Sequence, residues 1–164
     1  MTVANISDQR TFERKGIPIF SFLAEQLPDF KFTLAGMDYE LKRNSFPTNV
    51  KIIGKQNDQQ LKSLYGVNEY YFQGSKIEGL PNVLCEAMLC ECIPLGNKVF
   101  GIPEAIGDTG IIFEGLNDIK KVVKLLKEDK RKDGLKARKR IIKKYSKNRR
   151  EAQFKRVLKQ NSYG

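Results

Sequence analysis

Short apolar runs alternate with stretches of helical periodicity along most of the chain, a pattern that predicts a parallel sheet wrapped by helices. Thr2 to Ile6 reads as a first strand. Gly16 to Leu27 reads as a helix, with Pro18 in its first turn, Ile19, Leu23 and Leu27 at four-residue spacing, and Pro28 as its stop. Strands are expected at Phe30–Ala35, ending at Gly36, and at Val50–Ile53, ending at Gly54. Asn57 and Asp58 can cap a short helix that carries Leu61 and Leu64. Glu69–Phe72 is the next strand and delivers the chain to a turn over Gly74–Pro81. A helix from Asn82 toward Glu91, a strand over Cys92–Leu95, a short helix near Pro103–Ile106 and a last strand over Gly110–Phe113 complete the series. The fold class expected is α/β: a Rossmann-like, doubly wound parallel sheet of about six strands with C-terminal helices. Gly36, Gly54 and Gly74 then fall on one edge of the sheet, outside the carboxyl ends of the strands, where such sheets bind ligands.

The remainder reads as helical. Ile119, Val122, Val123 and Leu126 form one apolar face; Leu135, Ile142 and Tyr145 suggest a second helix. After a break at Ser146–Asn148, Phe154, Val157 and Leu158 mark a third. The division expected is a Rossmann-like core over residues 1–117 and basic helices over 118–164, packed on the same domain.

Charge sharpens that division. The net charge is +11. Residues 1–117 hold 11 Lys/Arg against 14 Asp/Glu, and residues 118–164 hold 19 against 5. So basic a tail suits an anionic membrane surface or an acidic partner. It has few aromatic residues to stack bases, which makes nucleic acid an unfavoured partner.

The 164 residues suffice for one full core, and no apolar run approaches the length of a membrane span. Asp8, Arg10, Glu13, Arg14 and Lys15 interrupt any leader pattern, so the expected location is cytoplasmic, with peripheral attachment at the inner membrane face. Cys85, Cys90 and Cys92 have no histidine and no Cys-x2-Cys spacing beside them, which reads as reduced thiols rather than a zinc site.

The stretch Glu78-Gly79-Leu80-Pro81-Asn82-Val83-Leu84-Cys85-Glu86-Ala87 carries the chemistry. A glycine and a proline open a helix between two glutamates eight positions apart. The N–H groups of Asn82, Val83 and Leu84 are expected free at the helix end, an arrangement suited to phosphate. Carboxylates accept sugar hydroxyls, so the segment reads as a nucleotide-sugar site. Arg10 and Lys15 are the candidate cations. Positive charge just before the Gly16 helix opposes its dipole, so a compensating anion is expected there.

Ser75 through Met88 resembles the Glu-x7-Glu signature of retaining glycosyltransferases of family 4, which have the two-domain GT-B fold. The likeness continues through Gly101-Ile102-Pro103-Glu104-Ala105-Ile106 and Gly110-Ile111-Ile112, in order along nearly the whole chain. The resemblance implies that Glu78 and Glu86 are the catalytic pair, Glu78 contacting hydroxyls of the transferred sugar and Glu86 holding the ribose. Gly79, Leu80, Pro81, Asn82, Val83 and Leu84 would surround sugar and phosphates, Arg10 and Lys15 would bind the diphosphate, and the base would rest near Ile53, Gly54 and Lys55. The family's glycine before the arginine is Gln9 here, and Phe100 stands where the first glycine of its Gly-Gly-x-Pro-Glu run is common.

The likeness is to the C-terminal half only. It implies the donor domain of a hexosyltransferase, with no metal or other cofactor and a UDP- or GDP-hexose as donor substrate. The acceptor would be lipid-linked or a saccharide. Turnover would require the N-terminal acceptor-binding domain, which this chain lacks. The alternative is a non-catalytic nucleotide-sugar-binding module.

Overall fold

The structure, a computed structural model, describes residues 1–37, 46–128 and 133–146, together with 149 and 151. In chain order the elements are β1 (Thr2–Ile6), α1 (Gln9–Arg14), α2 (Ile17–Gln26), β2 (Phe32–Met37), β3 (Val50–Ile53), α3 (Asp58–Val67), β4 (Tyr70–Gln73), α4 (Asn82–Leu89), β5 (Ile93–Asn97), α5 (Gly101–Ile106), β6 (Ile111–Phe113), α6 (Ile119–Lys127) and α7 (Gly134–Tyr145). A 3-10 turn over Gly115–Asp118 precedes α6.

All strand pairs are parallel, in two three-stranded sheets ordered β1-β2-β3 and β4-β5-β6. Strand β1 meets β4 through Met1, whose nitrogen donates to Tyr70 O and whose carbonyl accepts from Phe72 N, both at 2.7 Å. That pattern brackets Tyr71 as a parallel pair does. The combined order is therefore 3-2-1-4-5-6, the doubly wound arrangement, with the reversal of winding between β1 and β4.

Period-two alternation divides the core between the two faces. Phe72 joins Phe20, Leu23, Leu34, Phe113, Ile119 and Val122, so α2 and α6 cover one face. Its neighbour Tyr71 joins Leu84, Met88, Ile102, Ile106 and Ile141, so α4, α5 and α7 cover the other. Phe72 stacks on Phe113 with centroids 5.3 Å apart and meets Phe20 at 5.5 Å.

Four sequence expectations are corrected. Gln9–Arg14, expected as a connection, is a helix capped by Asp8, whose carboxylate accepts from Thr11 N at 2.7 Å. Strand β2 runs through Gly36 to Met37. Gly36 has φ 94° and lies so close to β1 that a Cβ there would sit 2.5 Å from Ala4 O. The strand after α4 runs to Asn97, so Gly96 is inside it. On α7 the buried positions are Ala137 and Ile141, while Leu135 and Ile142 are exposed. Buried Ala137 shares a core cluster with Leu84, Ala87 and Met88 of α4, and a Cβ at Gly134 would meet Glu91 O. The expected helix of Phe154, Val157 and Leu158 lies outside the described residues.

One contact fixes the junction. Gly16, at φ 71°, lies against Gly74 so tightly that a Cβ would come within 2.0 Å of the Gly74 carbonyl oxygen. Gly16→Ala therefore combines a disfavoured φ with a backbone clash. It should cost about 2–4 kcal/mol, read as a lower urea midpoint; unchanged stability would show that the two backbones are not in contact.

Candidate functional site

The carboxyl ends of β1 and β4 lie on either side of the winding reversal, where a crevice opens in this class of sheet. From β1 the chain enters α1 and returns at Lys15 and Gly16. From β4 it enters the turn Gly74–Pro81. Besides the glycine contact, Lys76 N donates to Arg14 O at 2.8 Å, and Lys76 pairs with Glu13 at 3.6 Å.

These ties bring Lys15 and Glu78 together across 63 positions of sequence. Lys15 Nζ donates to Glu78 Oε2 at 2.6 Å, and both side chains are 22% exposed, so a ligand can reach the pair. Lys15 caps the C-terminal end of α1, where positive charge is favourable, and the anion expected near the start of α2 is Glu78.

A directional polar chain stands behind Glu78. Tyr71 hydroxyl donates to Gln73 Oε1 at 3.4 Å, Gln73 Nε2 to Ser75 Oγ at 2.8 Å, and Ser75 hydroxyl to Glu78 Oε2 at 3.3 Å. Burial first, then neighbouring Tyr65, pushes the Tyr71 phenol well above its usual range, so it stays a neutral donor. Asn97, at the end of β5, donates to Ser75 O at 3.2 Å and accepts from Gly115 N at 3.1 Å. Gln73, Ser75 and Asn97 are all buried. Sequence reading missed these three; the signal available was polar residues directly after apolar strand runs.

Helix α4 begins after Pro81, and its first-turn donors differ from expectation. Leu84 N donates to Pro81 O at 3.2 Å and Cys85 N to the same oxygen at 3.3 Å. Asn82 and Val83 are left as the N–H groups without an acceptor at this helix end among the described residues. Gly79 is exposed and open: a Cβ there meets nothing within 4 Å. Leu80 is exposed and Pro81 is buried.

Glu86 sits on a different side of α4. It accepts from Tyr65 hydroxyl at 3.4 Å and lines a depression of about 340 Å³ with Asp58, Leu61, Lys62, Leu89 and Cys90. Burial, then the Glu86 charge, holds the Tyr65 phenol far above its ordinary range, as a neutral donor. The α3 wall of that depression starts at Asp58, three positions after Lys55. Gly54 follows β3, accepts from Gly36 N at 3.2 Å, and leaves open space where a Cβ would be. Lys55 and Arg10 are both exposed. The structure thus joins Lys15 with Glu78, and sets Glu86 with α3 on the other flank of the α4 N-terminus.

The thiols are packing groups. Cys92 donates to Tyr65 O and Asn68 O, both at 3.2 Å, and burial pushes it up to about 12. Burial, then Glu86, raises Cys85 to about 11. Among the described residues no three His, Cys, Asp or Glu side chains form a cluster able to hold a metal.

A family model described as glycosyl transferases group 1 matches residues 7–149. No curated protein matches the chain. Among solved structures, sucrose-phosphate synthase from Thermosynechococcus elongatus superposes with a TM-score of 0.75 at 20% identity, covering 99% of this chain and 45% of that one. HepE of Anabaena in complex with UDP gives 0.73 at 19%, covering 97% and 48%. The C-terminal domain of the group 1 glycosyl transferase LpcC from Francisella tularensis gives 0.70 at 20%, covering 89% of this chain and 85% of that domain. Identities at this level establish the fold. The chain spans less than half the length of the synthase and of HepE.

The buried Ser75 hydroxyl links Gln73 to Glu78, so Ser75→Ala leaves a buried amide donor unpaired. It should lower unfolding free energy by about 1–3 kcal/mol. Glu13→Ala, which removes the exposed Lys76 pair and an exposed hydrogen bond from Gln9, should change it by less than about 1 kcal/mol. Equal losses in urea titrations would show that the chain behind Glu78 does not support it.

Proposed function

The chain belongs to the glycosyl transferases group 1 family, and from that premise we propose that it is the donor-binding part of a retaining glycosyltransferase, holding a nucleoside-diphosphate hexose at the β1/β4 edge. The observation that carries this reading is the Lys15–Glu78 pair at 2.6 Å beside the open Gly79 turn. One partner suits a diphosphate and the other a sugar hydroxyl. Complexes of HepE with UDP and with UDP-glucose support a uridine donor.

In this reading Glu78, held from behind by Ser75, keeps the Lys15 side chain in place while the site is empty. As the donor enters, the diphosphate takes over Lys15 and the hexose hydroxyls take over Glu78. Negative charge that builds on the leaving diphosphate is met by Lys15, by Arg10 and by the Asn82 and Val83 N–H groups, in place of a metal ion. Glu86, with Tyr65 behind it, receives the ribose, and the base lies along Gly54 and Lys55. The acceptor, lipid-linked or saccharide, is bound by an N-terminal domain, without which this chain does not turn over.

Calorimetric titration with UDP, GDP and ADP tests the site. One nucleotide should bind, unaffected by EDTA, and Lys15→Ala or Glu86→Ala should weaken it roughly tenfold. Glu78→Gln, which releases Lys15 from a competing anion, should strengthen binding of the bare diphosphate by roughly two- to fivefold. No binding of any of the three overturns the reading, and donor-dependent transfer by this chain alone overturns the assignment of the acceptor to another domain.

The basic tail is read as a peripheral contact with anionic lipid. Lys136, Lys139 and Lys143 are exposed and line a groove of about 410 Å³ with Arg140, Lys144 and Arg149. Each lysine near an anionic surface contributes about 1 kcal/mol. Co-sedimentation should rise with the phosphatidylglycerol content of vesicles and fall in a Lys136→Glu, Lys139→Glu, Lys143→Glu variant. Pelleting indifferent to lipid charge removes this contact.

A further inference from the structure

Phe100 occupies a position whose backbone suits glycine. Its φ is 44° and its ψ −125°, a combination that residues with a Cβ rarely adopt. Its ring is 72% exposed, against 39% for Phe22. None of the aromatic pairs among the described residues includes it. Strain and exposure both disfavour phenylalanine here, and no aromatic pairing among the described residues offsets them. Strain of this kind collects where the surroundings hold a side chain for use.

The surroundings do hold it. On one side Asn97 donates to Ser75 O, and Val99 N donates to Asn97 O at 2.8 Å. On the other side Gly101 lies so close to Gly79 that a Cβ would sit 2.6 Å from the Gly79 carbonyl oxygen. Both anchors are to the turn that carries Glu78. Phe100 is therefore fixed beside that turn, whose Ile77 and Leu80 are also exposed, at 63% and 41%. An apolar rim borders a carboxylate and a cation.

That combination matches a pyranose. A sugar ring presents hydroxyls at its edge and C–H groups on its face; a carboxylate takes the first and an aromatic ring covers the second. A diphosphate needs neither. We propose that Phe100 is a specificity-determining residue whose ring covers the apolar face of the donor's hexose. The proposal rests on the donor-site reading above.

The test is the preference of the full 164-residue chain for a sugar nucleotide over its bare diphosphate. UDP-glucose against UDP, GDP-mannose against GDP and ADP-glucose against ADP are titrated into the chain, Phe100→Gly and Phe100→Tyr. The preference should fall by roughly three- to tenfold in Phe100→Gly and persist in Phe100→Tyr. Phe100→Gly should also melt about 2–4 °C higher, because glycine relieves the backbone. A ratio unchanged in Phe100→Gly overturns the proposal and leaves the donor site standing. A lower melting point for Phe100→Gly overturns the premise of strain. Failure of every nucleotide to bind the intact chain overturns the donor site itself, and the role of Phe100 with it.

Discussion

The contact between Gly16 and Gly74 is the constraint on which the site depends. A Cβ on Gly16 would come within 2.0 Å of the Gly74 oxygen, so neither backbone can withdraw without parting the loops that follow β1 and β4. Lys15 immediately precedes one glycine and Glu78 lies four positions beyond the other. Their meeting at 2.6 Å is thus set by backbone packing rather than by mutual attraction. The second glycine approach, Gly101 on Gly79, brings the β5–α5 loop to the same turn. Three strand ends converge because three backbones can touch.

Energetics support the same ordering of cause and effect. A partly exposed ion pair contributes about 0–1 kcal/mol, too little to hold two loops together. The buried chain from Tyr71 through Gln73 to Ser75 is different, since each unpaired member would cost about 1–3 kcal/mol. Its hydrogen bonds all run one way, ending on Glu78. The carboxylate is therefore held by the sheet interior, while Lys15 remains exchangeable. Such a division suits a site that must give up one ion pair to accept a ligand and still keep its geometry.

Most of the fold was legible in the sequence, because the six strands are short, largely apolar runs closed by glycine or polar residues, and the Asn57 cap is visible in the letters. The observed capping box confirms that cap, with Gln60 N donating to Asn57 and Asn57 N to Gln60, both at 2.9 Å. Helix α1 was not legible: six residues with no buried member leave no apolar stripe. The buried face of α7 was misplaced because alanine carries little weight in an apolar pattern, and Ala137 with Ile141 lost to the larger Leu135 and Ile142. Around the Glu78 turn, the pairings were not readable. Nothing local joins Lys15 to Glu78 across 63 positions, nor separates Glu86 onto the α3 flank; sheet order does both.

Sheet order also decides how much of the basic tail is available for other work. Arg140 donates to Ala105 O and Glu104 O, both at 2.7 Å, and Lys144 pairs with Glu104 at 3.0 Å. These cations sit at the carboxyl end of α5, where the helix dipole favours them. Arg138 is engaged by Glu91 at 3.1 Å. Two of the six cations on α7, Arg140 and Lys144, thus fasten α5, whose other end carries the glycine that touches the Glu78 turn. The exposed lysines at 136, 139 and 143 have no ion pair among the described residues. One helix therefore divides its cations between bracing the site from behind and presenting charge outward, and only the second set can answer to a surface.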